Sequence, residues 1–121
     1  MASTTVALEG LPPVIKMTST LQPSWRGTNT VEMAERGKLV RNSATGWLRD
    51  HELALSAAIG IPVSDLIIEG RDGTSRKTRV PWTRFGSGER SPSATDGFYV
   101  VYLWAFDGSA VYLSQSRYDR F

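Results

Sequence analysis

A chain of 121 residues with 40% hydrophobic content supports one domain around one core. It contains no cysteine and one histidine, His51, which excludes disulfides, thiolate metal sites and a cysteine nucleophile and leaves too few ligands for a typical zinc site. The net charge of +2 is too small to require a polyanion partner. No apolar run is long enough to span a bilayer and no signal-peptide pattern is present, so the expectation is a cytoplasmic protein without a membrane partner.

Residues 1 to 28 mix Ser, Thr, Pro and isolated apolar residues without a period, and LPPVI reads as extended chain. This stretch is expected to be a flexible tail ahead of a single domain from 29 to 121. Asn29 and Glu32 have the spacing of a capping box, which predicts a helix from near Thr30. Apolar positions Val31, Ala34, Val40, Ala44, Trp47, Leu48, Leu55, Ala58 and Ile59 recur at three- and four-residue steps. Gly37, Asn42-Ser43 and Gly46 weaken the middle, so the pattern predicts two helices joined near Gly46. Gly60 and Pro62 stop the second.

Beyond Pro62 the period changes. SDLIIEG is expected as a strand, RDGT as a turn with Gly73 at positive φ, and SRKTRV as a second strand. GSGERSPSATDG reads as a loop too polar to be buried. GFYVVYLWAF, DGS and AVYLSQS form the clearest element, because Asp-Gly between two alternating apolar runs is a strong hairpin signal. A two-residue turn at Asp107-Gly108 pairs Phe106 with Ser109, Trp104 with Val111, Leu103 with Tyr112 and Tyr102 with Leu113. One face then presents Phe98, Val100, Tyr102, Trp104, Val111 and Leu113 to the helices. The other carries Tyr99, Val101, Leu103, Tyr112, Ser114 and Ser116, a mixture that suits either a ligand-binding surface or a second core layer. The fold class is therefore α+β, with one or two N-terminal helices packed on a twisted, mainly antiparallel sheet dominated by a C-terminal hairpin.

Charge is distributed unevenly. Between Arg71 and Arg90 six basic residues (Arg71, Arg76, Lys77, Arg79, Arg84, Arg90) stand against two acids (Asp72, Glu89), a local balance of +4. Such a strip is either a phosphate-facing surface or a solvated loop. Inside it, RKTRVPWTRFG sets Trp82 among cations, as a core residue or as a stacking surface.

RVPWTRFG, followed after a polar loop by DGFYVVYLWAFDGSAVYLS, resembles the N-terminal DNA-binding domain of the McrB subunit of modification-dependent restriction enzymes. The shared pattern is a Pro-Trp pair, a short variable loop, a Gly-aromatic-Tyr strand and a hairpin that ends in a Val-Tyr-Leu-like strand. It covers Asp65 to Arg117, about half of the chain, and the helical residues before Asp65 fit the family only loosely. The resemblance implies a module that binds double-stranded DNA and flips a methylated or hydroxymethylated cytosine into an aromatic pocket, within a restriction or defence system. Carried over by position, Trp82 corresponds to the pocket tryptophan, Tyr99 to a tyrosine of the base-contacting strand and Leu103 to an apolar wall.

Extracting a base costs a few kcal/mol, and stacking on one aromatic residue returns roughly 1 to 3 kcal/mol. Trp82 is the main candidate, with Tyr99 and Tyr112 as further surfaces. A 5-methyl group needs an apolar contact such as Leu103 or Val101, worth about 0.8 kcal/mol. Arg71, Arg76, Lys77, Arg79 and Arg84 are the expected phosphate contacts.

Two departures from the family pattern bear on this reading. RDGTSRKTR has no aromatic residue where the family places a tyrosine that fills the space left by the base, which leaves Arg71, Arg76 or Arg79 as substitutes. The family domain also continues past the hairpin, which implies truncation at the C-terminal end or a pocket wall supplied by a partner or by the N-terminal segment. Cleavage in the family belongs to a GTP-dependent motor domain and a separate nuclease subunit. The chain has no Gly-rich phosphate loop, so the expectation is a non-catalytic module without a cofactor, whose partners are modified DNA and a separate motor or nuclease subunit.

Asp65, Glu69 and Asp72 with nearby Lys77 imitate the ligand set of a Mg²⁺-dependent nuclease. Their spacing is poor, since Asp65 and Glu69 share a strand face while Asp72 sits in a turn. His51, between Asp50 and Glu52, lies in a predicted helix, and no serine elbow is present. Neither a metal site nor catalysis is expected. The remaining alternative is a protein-binding adaptor or inhibitor that uses the aromatic sheet face, which salt dependence separates from a DNA reader.

Overall fold

The computed structural model describes residues 3–5, 13–74, 76–93 and 97–118. In chain order the elements are strand β1 (Ser3–Thr5), helices α1 (Pro13–Leu21) and α2 (Val31–Lys38), a π-helical turn (Leu39–Ser43), helices α3 (Ala44–Asp50) and α4 (Glu52–Ile59), and strands β2 (Leu66–Arg71), β3 (Trp82–Ser87), β4 (Gly97–Trp104) and β5 (Val111–Tyr118). The strands form one antiparallel sheet in the order β1-β5-β4-β3-β2. The α+β class is as expected.

The N-terminal stretch departs from expectation. Its described part is packed rather than a tail. β1 pairs with β5, and α1 buries Ile15, whose carbonyl accepts a hydrogen bond from the Trp104 indole at 3.2 Å. Pro13 opens α1 at a position where its missing N–H costs nothing. The helix escaped pattern reading because two of its three buried residues, Thr18 and Ser19, are polar.

Thr30, not Asn29, caps α2, its hydroxyl accepting from the Met33 amide at 3.2 Å. Gly46 lies inside α3, and the expected break is instead the π turn, with a second one at His51. The turn matters because of what it packs against. The Thr83 hydroxyl donates to the Val40 carbonyl at 2.9 Å, and a Cβ on Gly70 would stand 2.1 Å from the same oxygen. β2 therefore meets the turn backbone to backbone. Gly60 ends α4 at φ +73 and Gly73 turns the chain at φ +93, both as predicted.

Of the expected strand SDLIIEG, Leu66 onward forms β2, which runs to Arg71, while Ser64 and Asp65 lie in a 3-10 turn, and RKTRV, the described part of SRKTRV, is not a strand. Residues 72–74 and 76–81 are irregular, and the second strand is WTRFGS. The reason is non-local: the loop carbonyls of Thr78 and Arg79 are taken by the side chains of Arg36 and Gln22 from the helical half. Ser87 and Ser91, in a stretch expected to be too polar for burial, are buried because each meets a polar partner: Ser87 donates to the Asp65 carboxylate and Ser91 accepts from Arg84. The Ser87 hydroxyl and the Glu89 amide hold the Asp65 carboxyl below its usual value. Part of that expected loop, residues 94–96, lies outside the described residues.

The hairpin register is as predicted for Trp104–Val111, Leu103–Tyr112 and Tyr102–Leu113. Its turn is longer than expected. The Ala105 amide bonds the Ala110 carbonyl at 3.0 Å and encloses the four residues Phe106 to Ser109, so Phe106 and Ser109 do not pair. Val100, Trp104 and Val111 are buried on the helix-facing side, with Tyr102 and Leu113 partly buried beside them. The side chains of Phe98 and Ser116 lie outside the described ones.

Candidate nucleic-acid interface

Strand register decides which side chains share the sheet face away from the helices. Two cross-strand rows run over β2, β3, β4 and β5: Arg71–Trp82–Leu103–Tyr112 and Glu69–Arg84–Val101–Ser114. The second row is closed. Arg84 is fully buried, bonding Glu69 Oε1 through Nε at 2.6 Å and the Ser91 carbonyl and hydroxyl through Nη1 at 3.1 and 2.9 Å. Val101 is only 4% exposed. Arg84 therefore offers no donor to a surface phosphate and Val101 no surface to a methyl group. The segment returning from β3 has brought Ser91 onto the Arg84 guanidinium.

The first row is open. Trp82 and Leu103 are half-buried, and Tyr112 is 39% exposed. Tyr99 is half-buried in the next row, its ring centre 5.1 Å from the Arg84 guanidinium.

At its β2 end the open row runs into a cleft of about 450 Å³ lined by Arg41, Arg71, Asp72, Gly73, Thr74, Lys77, Thr78 and Trp82. That volume falls within the range of small-ligand pockets. Three cations against one acid give the lining a balance of +2. Asp72 is nearly inaccessible and anchors two of them, Arg41 Nε at 3.1 Å and Lys77 Nζ at 3.4 Å.

Behind Asp72, Arg36 is fully buried and donates to Gln22 Oε1 at 2.9 Å and the Thr78 carbonyl at 2.8 Å. Burial lowers the Arg36 pKa from its ordinary value, and the Asp72 charge opposes that shift. Gln22 in turn donates to the carbonyls of Arg79 and Ala105, each at 3.0 Å. The cleft wall is thus held by a polar network from the helices, as buried charge requires.

Of the expected phosphate contacts, the cleft gathers Arg71 and Lys77 with Trp82. Arg71 is largely exposed and pairs with Glu69 at 3.2 Å, whereas the Lys77 side chain is only 10% exposed. Arg76 is exposed and packs its guanidinium over Gly27. Arg79 lies against Trp25 and Phe106. Sequence reasoning missed Arg41, because one arginine in a helical stretch looks like any solvated charge; only the π turn aims it at Asp72.

The acids considered for a nuclease diverge: Asp65 faces Ser87, Glu69 faces Arg71 and Arg84, and Asp72 faces Arg41 and Lys77. Among the described residues no group of three or more His, Asp or Glu could hold a metal ion. His51 bonds the Trp47 carbonyl through Nδ1 at 2.8 Å and lies 4.2 Å from the Trp47 ring, remote in sequence from these acids. No helix of the described residues is long and apolar enough to cross a membrane.

A family model described as the MrcB-like N-terminal domain matches residues 20–117. The chain belongs to the MrcB-like N-terminal domain family. The match reaches well beyond the Asp65–Arg117 segment that carried the sequence resemblance, so α2, the π turn, α3 and α4 are part of the MrcB-like unit rather than a loose addition. Membership points to a DNA-binding module of a restriction system. No curated protein and no solved structure matches the chain. In this MrcB-like domain the open row and the cationic cleft share two residues, Arg71 and Trp82, and Trp82 is the aromatic one.

Proposed function

We propose that this MrcB-like domain reads duplex DNA carrying a methylated or hydroxymethylated cytosine, with the modified base turned out of the helix against Trp82. The observation that carries the reading is the double position of Trp82, in the open row with Leu103 and Tyr112 and in the wall of a cleft bordered by Arg41, Arg71 and Lys77. Stacking on Trp82 offsets roughly 1 to 3 kcal/mol of the few kcal/mol that extrusion costs. Thr74 and Thr78 supply polar groups for the Watson–Crick edge, and Leu103 supplies the apolar contact for a 5-methyl group. One methyl contributes about 0.8 kcal/mol, a preference of about four-fold. Arg41 and Arg71 hold the flanking backbone and set the salt dependence.

The domain performs no chemistry in this reading. Cleavage falls to a separate motor or nuclease partner.

Trp82→Ala tests the assignment, since base stacking and phosphate contact are independent terms. Fluorescence anisotropy with matched duplexes should show the preference for the modified base lost and weak general binding retained. Equal loss of both, with circular dichroism unchanged, would mean that Trp82 does not stack on a base.

A further inference from the structure

Arg79 differs from the cations of the cleft. Arg41, Arg71 and Lys77 each have a carboxylate partner. Arg79 is exposed, and among the described residues no acid pairs with it and no acceptor takes its side-chain N–H groups. Its guanidinium lies instead in the angle between two rings, 4.8 Å from the Trp25 centroid and 5.2 Å from that of Phe106. The rings meet edge to face, 5.9 Å apart at 74°. Trp25 is fixed by its indole N–H to the Lys77 carbonyl at 3.2 Å, and the Arg79 backbone by Gln22. Phe106, in the hairpin loop, is 44% exposed.

Because the rings stand 74° apart, the planar guanidinium can lie flat against one of them at most, and the N–H groups turned away from both are open to an acceptor. A charged planar fork that is packed between two rings and uncommitted matches a paired acceptor such as two phosphate oxygens, and the ring contacts meet part of its ordering cost. Arg79 is also tied rigidly to Trp82. The intervening Pro81 is buried and its carbonyl accepts from the Trp104 amide at 3.3 Å. Three residues reach at most about 11 Å, about three base-pair steps of duplex at about 3.4 Å each.

We infer that Arg79, clamped by Trp25 and Phe106, is a preorganised anchor for a backbone phosphate close to the nucleotide that enters the Trp82 cleft. The inference rests on the DNA reading proposed above. In it, the hairpin loop has a role in DNA binding through Phe106 without touching a base.

The test is anisotropy of the full chain with modified and unmodified duplexes over a salt series, for the wild type, Arg79→Ala, Arg79→Lys, Phe106→Leu and Trp82→Ala. Arg79→Ala should weaken binding to both duplexes alike, by about ten-fold, and reduce the log–log salt slope by about 0.9. Arg79→Lys and Phe106→Leu keep the charge and lose the fixed fork, so each should keep the slope and lose several-fold in affinity. Arg79→Ala binding within about two-fold of wild type with an unchanged slope overturns the anchor. Loss confined to duplexes with guanine at one position assigns Arg79 to a base edge and overturns the phosphate assignment. If the wild type prefers the modified duplex and Trp82→Ala does not, the DNA reading stands whatever Arg79 does. A wild type that binds no duplex removes both.

Discussion

Trp82 and Arg84 stand two residues apart on β3 and project to the same side of the sheet, yet only Trp82 is within reach of a ligand. The difference is made by Ser91, whose carbonyl and hydroxyl close over the Arg84 guanidinium. No property of the string TRF reports that burial, which is why the +4 strip was legible while its division into committed and free cations was not. Arg84→Ala should therefore act on stability rather than on DNA. Removing one partner of a buried pair costs about 3 to 5 kcal/mol, and the partial exposure of Glu69 brings the expected loss toward about 2 to 3 kcal/mol. Urea unfolding reads this directly. A variant as stable as the wild type but defective in DNA binding would return Arg84 to the interface.

At the scale of elements, the hairpin was legible because a period of two fixes register from both sides of Asp107-Gly108, and the observed pairing follows it. The loop length was not, because the closing Ala105–Ala110 bond depends on backbone geometry that the dipeptide does not dictate. The missing SRKTRV strand and the unforeseen α1 share one cause. Both are held by side chains distant in sequence, the loop by Arg36 and Gln22 and the helix in part by Trp104. The π turn is the element on which the cleft depends, since it sets Arg41 on Asp72 and seats β2 through Gly70. Gly70→Ala places a methyl group against the Val40 carbonyl. The expected cost lies at the upper end of the about 1 to 3 kcal/mol typical of overpacking, with DNA binding weakened as Arg41 moves. Thermal melting checks the first part, and an unchanged melting temperature would show that the turn yields freely.

For the whole molecule, an overall charge of +2 understates the electrostatics. The cations that matter are gathered at one end of the sheet: Arg41 and Arg71 border the cleft, Arg79 rests on the hairpin loop, and Arg76 packs on Gly27. Trp82 lies among them at the junction of cleft and open row. This concentration favours a polyanion that approaches from that end and a planar group that stacks at its centre. The affinity of the wild-type chain for otherwise identical duplexes, with cytosine, 5-methylcytosine, 5-hydroxymethylcytosine or N6-methyladenine at one position, tests the claim most directly when measured at low and near-physiological salt. A preference for a modified cytosine that persists as salt rises, over a general affinity that falls steeply, is the predicted result. Equal binding to all four duplexes that vanishes with salt would contradict it and reduce Trp82 to a partly buried wall of a basic surface.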